Sequence, residues 1–129
     1  MKDVFVLLCM IFCHIVDDYY LQGWLASAKQ KSWWEQNAPN ELYKNDYIMA
    51  LVMHSFSWTF MVMLVPTLLL LPDFNVKIYC GLFLSNWMMH LVTDDAKANE
   101  KTINLIEDQL IHLAQIVFTW IGLYLMGVR

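Results

Sequence analysis

Apolar residues gather in four long blocks along this chain, at 4–20, 47–71, 76–93 and 103–126, with polar stretches between them. A bilayer core takes roughly 20 residues of α-helix, and each block is about that long. The pattern predicts an all-α integral membrane bundle of four transmembrane helices, a single domain over residues 1–129. The first block closes on Tyr19 and Tyr20, followed by Trp24, as aromatic belts do where a span meets the interface. Residues 23–46 are too polar to span. There Trp24-Leu25-Ala26 and Trp33-Trp34 alternate with Lys29, Lys31 and Glu35, which predicts a short amphipathic helix on the membrane surface between spans one and two. Pro39-Asn40 breaks that helix, Pro66 predicts a kink in the second span, and Pro72-Asp73 predicts its end. A tight turn then brings the chain back antiparallel. A polar loop, 96–102, joins spans three and four.

Composition agrees with a membrane location. Hydrophobic residues make up 59% of the 129 and charged residues 16%, a balance that excludes an ordinary soluble domain. The net charge is −4 and the eight Lys and Arg are scattered, so no basic stripe points to nucleic acid. Cys9, Cys13 and Cys80 are odd in number and lie in apolar runs, which predicts reduced core thiols. The apolar start superficially resembles a signal peptide, but no small-residue cleavage site follows, so the segment is expected to be retained. The two polar loops carry Lys29, Lys31, Lys44, Lys97 and Lys101, against Lys2, Lys77 and Arg129 on the other side. That excess places the polar loops in the cytoplasm and both termini outside.

The candidate chemistry is carried by histidine and aspartate. Each span holds one histidine: His14, His54, His90 and His112. In an up-down-up-down bundle all four fall in the half of the membrane that faces the polar loops. His14 and Asp18, His90 and Asp94, and Asp108 and His112 are each four residues apart, hence on one helix face. Asp17 lies beside Asp18, whereas Asp95 is turned well away from His90. A charged Asp within a bilayer costs on the order of 3 kcal/mol on insertion scales, so these carboxylates are expected to face inward and to have partners. Three arrangements meet that demand: a structural hydrogen-bond network, a proton or ion path, and a metal centre. A metal centre suits the ligand types best, with one ion or two ions bridged by carboxylate. Zinc is the first choice, with manganese or iron as alternatives.

The motif His14-x3-Asp18-Tyr19-x-Leu21-Gln22, followed by Trp24-Leu25-Ala26 and Lys29, resembles the N-terminal signature of a small bacterial and phage membrane family, domain of unknown function 3307. The resemblance continues through Met53-His54-Ser55, His90-x3-Asp94-x2-Lys97 and Asp108-Gln109-x2-His112, and covers nearly the whole chain. Asp17 stands where that pattern has a small or apolar residue, which favours Asp18 as the ligand. The resemblance implies a multi-span protein of the bacterial inner membrane and supplies no activity. The pattern is also similar to membrane-bound metal-dependent hydrolases, an analogy only.

These readings together predict a membrane-embedded metal-dependent hydrolase acting at the bilayer interface on a phosphoester or lipid-linked substrate. His14, Asp18, His54, His90, Asp94, Asp108 and His112 are the candidate ligands, with His54 as ligand or general base. Asp17 or Asp108 is the candidate proton acceptor. Lys97, helped by Lys29, is the candidate holder of an anionic substrate group, although Lys29 by itself reads as a snorkelling interfacial lysine. The expected partners are the lipid bilayer and a small or lipid-linked substrate, with self-association open. The site is expected to be a blind pocket that opens toward the polar loops. Trp58 and Met61 would seal it beyond His54, because the far half offers few polar groups beyond Thr67, Tyr79 and Thr119. Two other readings stand beside this one: a proton or metal-ion transporter, and an interaction protein acting through its Trp-rich loop.

Overall fold

A computed structural model describes residues 2–70 and 75–126, and these are helical almost throughout. Four long helices carry the fold: α1 (Lys2–Val16), α4 (Asp46–Leu70), α5 (Val76–Asp95) and α6 (Leu105–Met126). Between α1 and α4 lie two short helices, α2 (Leu25–Ala28) and α3 (Lys31–Asn37), and a 3₁₀ turn, Glu41–Tyr43. Two π turns prolong long helices: Asp17–Leu21 after α1 and Ala96–Glu100 after α5. The predicted stop at Pro72-Asp73, residue 71, and the terminal Gly127 and Arg129 lie outside the described residues.

Local chemistry explains the helix starts. Asn75 caps α5, its side-chain oxygen accepting from the backbone N–H of Lys77 at 3.1 Å and of Ile78 at 3.4 Å. Asn104 and Glu107 form a reciprocal cap before α6. Asn104 Oδ1 accepts from Ile106 N–H, and Glu107 Oε2 accepts from Asn104 N–H, both at 2.8 Å. Lys101 adopts a left-handed conformation (φ 56°), which ends the second π turn before that cap. Helix α4 runs through Pro66 without ending. Thr67 bonds back to the Met63 carbonyl at 2.6 Å, next to the backbone bond that the proline cannot make.

The four long helices close a ring, α1 against α4 and α6, and α5 against α4 and α6. The interior has two levels. One end is an apolar cluster of Val6, Met10, Trp58, Val62 and Ile116, with Leu7, Ile11 and Trp120 packed on it. The other end is polar, and it buries all four histidines together with Asp17, Asp94 and Asp108. The exterior is the reverse: Phe5 and Phe12 on α1, Leu68 on α4, Leu84 and Met88 on α5, and Phe118 and Leu125 on α6 are all exposed. Water-soluble proteins bury such side chains and expose charges. Two stretches, Asp3–Leu21 and Glu41–Leu69, are long and apolar enough to cross a membrane.

Three local expectations change. The single amphipathic helix is two short ones, parted at Lys29-Gln30, because the chain bends there to send Lys29 inward. The polar loop at 96–102 is mostly a continuation of α5 as a π turn, closed by Thr102 N–H donating to the Ala96 carbonyl at 3.0 Å. The cysteines are free, as expected, but only Cys13 is buried and Cys80 is exposed, so they are not a shared core feature.

Candidate metal centre

Each element sends one or two side chains to the polar level. His14 comes from the end of α1, Asp17 and Asp18 from the first π turn, and His54 from α4. His90 and Asp94 come from α5, Lys97 from the second π turn, and Asp108 and His112 from α6. Asp17 is 1% exposed and the Asp18 side chain 8%.

Three imidazoles present Nε2 to a common region. His54 Nε2 lies 3.3 Å from His90 Nε2, 3.4 Å from Asp18 Oδ1 and 3.2 Å from Asp94 Oδ2. His112 Nε2 lies 3.3 Å from Asp94 Oδ1 and 3.4 Å from Asp108 Oδ1, and His90 Nε2 lies 3.6 Å from Asp94 Oδ1. Two overlapping sets, Asp18–His54–His90 and His90–Asp94–His112, hold their ligating atoms within 4.8 Å of one another and can hold a metal ion. Ligands about 2 Å from a shared tetrahedral ion stand a little over 3 Å apart, so these separations suit coordination. Asp18 Oδ1, Asp108 Oδ1 and His112 Nε2 are buried without hydrogen-bond partners, a costly state for polar atoms that lack a cation.

His14 sits differently. The indole N–H of Trp58 donates to its Nδ1 at 2.7 Å, so Nδ1 accepts and the ring proton is on Nε2. Nε2 then donates to Gln109 Oε1 at 3.2 Å. Both ring nitrogens are engaged, and His14 touches the cluster through its 3.4 Å approach to Asp18 Oδ2 and an edge-on contact with His112. Gln109 extends this link by donating to Asp108 Oδ2 at 3.0 Å and Asp18 Oδ2 at 3.5 Å. Trp58 also stacks on His90, with ring centroids 4.2 Å apart, and His90 stacks on His112 at the same spacing. The indole thus forms the floor of the cluster, while Met61 is only half-buried.

The lysines depart from expectation. Lys29, read as a snorkelling residue, turns inward and donates to Asp94 Oδ2 at 2.5 Å, its side chain 12% exposed. Lys97 donates to Asp108 Oδ2 at 2.6 Å instead of standing free for a substrate. The loop-facing side is therefore covered by two ammonium groups. Asn99 holds that cover down: its amide donates to the Lys29 carbonyl at 3.1 Å and its oxygen accepts from Lys31 N–H at 2.7 Å.

Asp95 turns away from the histidines and accepts from Asn99 Nδ2 at 2.7 Å. Asp17 lies behind His54, its Oδ1 accepting from Ser57 Oγ at 2.7 Å. The far side of the bundle is also more polar than its residue pattern suggests. Asn86, Gln115 and Thr119 are buried in a hydrogen-bonded set between α5 and α6, with Asn86 Nδ2 donating to Thr119 Oγ1 at 2.7 Å. Asn86 and Gln115 are each about one turn or less from a histidine in sequence, a signal that could have drawn attention to them. The chain matches no known family, curated protein or solved structure.

Proposed function

We propose that this chain is a four-span membrane protein of the family it resembles, domain of unknown function 3307, and that it works as a metal-dependent hydrolase at the bilayer interface. One observation carries the metal reading: three imidazole nitrogens converge among carboxylates whose charge is only half offset. Lys29 and Lys97 pair with Asp94 and Asp108 and leave Asp17 and Asp18 without a lysine partner among the described residues, so with neutral imidazoles two negative charges are left over, the charge of one divalent ion. Asp18, His54, His90, Asp94 and His112 would hold it. Their types, imidazole and carboxylate, favour zinc, with manganese or iron next. The inverted surface, apolar outside on all four long helices, supports four crossings.

A bound divalent ion supplies Lewis acidity toward a carbonyl or phosphoryl oxygen and eases deprotonation of water. The chain's own residues do the rest. Asp108 keeps one oxygen unpartnered beside His112 and is placed to take a proton. Lys29 and Lys97 hold carboxylates now and would turn to an anionic substrate group, as suits a phosphoester presented from the lipid surface. Trp24, Trp33 and Trp34 cluster edge-to-face beside this cover, in keeping with an interfacial lid.

A second reading, an ion or proton conductor, gains support from the Asn86–Gln115–Thr119 set, which carries polarity past the histidines. Elemental analysis of detergent-purified protein tests the first reading. About one equivalent of metal is expected for a single mononuclear centre, and less than about a fifth would overturn it. In proteoliposomes the hydrolase reading expects no divalent or proton flux above background. A flux lost in His54→Ala would replace that reading with the conductor.

A further inference from the structure

We infer that Asp17 is a positioning residue, which through His54 Nδ1 fixes the ring so that Nε2 alone faces the other ligands; the inference rests on the metal reading above. Asp17 Oδ2 lies 3.9 Å from His54 Nδ1. Both atoms are buried, and neither has a hydrogen-bond partner among the described residues. The other carboxylate oxygen accepts from Ser57 Oγ at 2.7 Å. Ser57 follows His54 by three residues on α4, so a single carboxylate bridges one turn of that helix. A shift of about 1 Å would close the remaining gap to hydrogen-bond length.

The chemistry of that placement is specific. A carboxylate behind an imidazole favours the proton on the near nitrogen, which here is Nδ1. Nε2 is then left with its lone pair, aimed at the region it shares with His90, Asp18 and Asp94. The same arrangement orients the ring and raises its basicity as a ligand. His14 lacks the arrangement, because Trp58 and Gln109 occupy its two nitrogens. The Nδ1 atoms of His90 and His112 are buried without a hydrogen-bond partner. The placement also removes Asp17 from the role of proton acceptor at the site, since its approach is to the far side of the His54 ring.

The test uses full-length protein in detergent, with cobalt(II) as the probe, and compares wild type with Asp17→Asn, Asp17→Leu and Ser57→Ala. Ring nitrogen shifts of His54, assigned with His54→Ala, report the tautomer without metal. Cobalt titration and the shifted exchangeable Nδ1–H signal report the bound form. We expect the Nδ1–H tautomer in wild type and its loss in Asp17→Leu. Cobalt affinity should fall about 10–100-fold in Asp17→Asn, the usual cost of an outer partner, and fall less in Ser57→Ala. Should Asp17→Leu fail to fold, Asp17→Asn and Ser57→Ala carry the comparison. An unchanged tautomer together with affinities within about twofold of wild type in both would overturn the inference. A wild type that binds no cobalt but whose His54 tautomer still depends on Asp17 would remove the metal reading and keep the positioning.

Discussion

Asp94 meets one lysine and three histidines, and replacing it by asparagine separates the structural from the ligating role. Its Oδ2 takes the Lys29 ammonium at 2.5 Å and stands 3.2 Å from His54 Nε2, while Oδ1 approaches His112 and His90. Asp94→Asn leaves the Lys29 charge in a site where its side chain is only 12% exposed. Breaking a buried pair from one side costs roughly 3–5 kcal/mol, chiefly through the stranded charge. Adding Lys29→Met removes that charge, and replacing both partners of a buried pair is often near neutral, so most of the loss should return. Metal binding should not return with it. Losing a partner behind a ligand costs about 10–100-fold in affinity, so losing the central ligand should cost at least about 100-fold in both variants. The assay is reversible unfolding in mixed micelles with chelator present, so that metal linkage does not enter the stability, followed by zinc titration of each folded variant. A double variant that binds zinc like wild type would refute the placement of Asp94 at the centre. A single variant as stable as wild type would refute the buried ion pair.

Two further expectations follow from the same geometry. His90→Ala should lose zinc, whereas Asp95→Ala should retain it within about threefold, because Asp95 is committed to Asn99 and not to the histidines; equal loss in both would mean that the inward face of α5 is misassigned. Cysteine accessibility scanning should place residues 23–46 and 96–102 on one side of the membrane, since Asn99 bonds directly to Lys29 and Lys31; labelling from opposite sides would break the convergence.

Four-residue spacing was enough to reveal the pairs His14–Asp18, His90–Asp94 and Asp108–His112, which approach to 3.4, 3.6 and 3.4 Å. Spacing on one helix says nothing about which ring nitrogen is free, and this is why His14 looked equivalent to the other three. Its engagement depends on the Trp58 indole, 44 positions away and hidden in an apolar run whose pattern spoke only of packing. The π turns were illegible for another reason: apolar periodicity marks a helix but not a local change in its winding. Lys29 was named as a helper of Lys97, but its ion pair with Asp94 was not legible, because a long side chain beside tryptophans reads as interfacial.

The contacts between α5 and α6 bear on the four-span proposal, under which both helices would enter a bilayer. Taken singly, each of these helices would bring carboxylate, imidazole and amide groups into hydrocarbon. Paired, they conceal one another's polar side: His90 lies flat on His112, Gln115 donates to the Asn86 carbonyl, and Thr119 exchanges bonds with the Asn86 amide. If α5 and α6 cross the bilayer as proposed above, they can be inserted as one hairpin whose polar seam is already zipped, which would lower the barrier that either would meet alone.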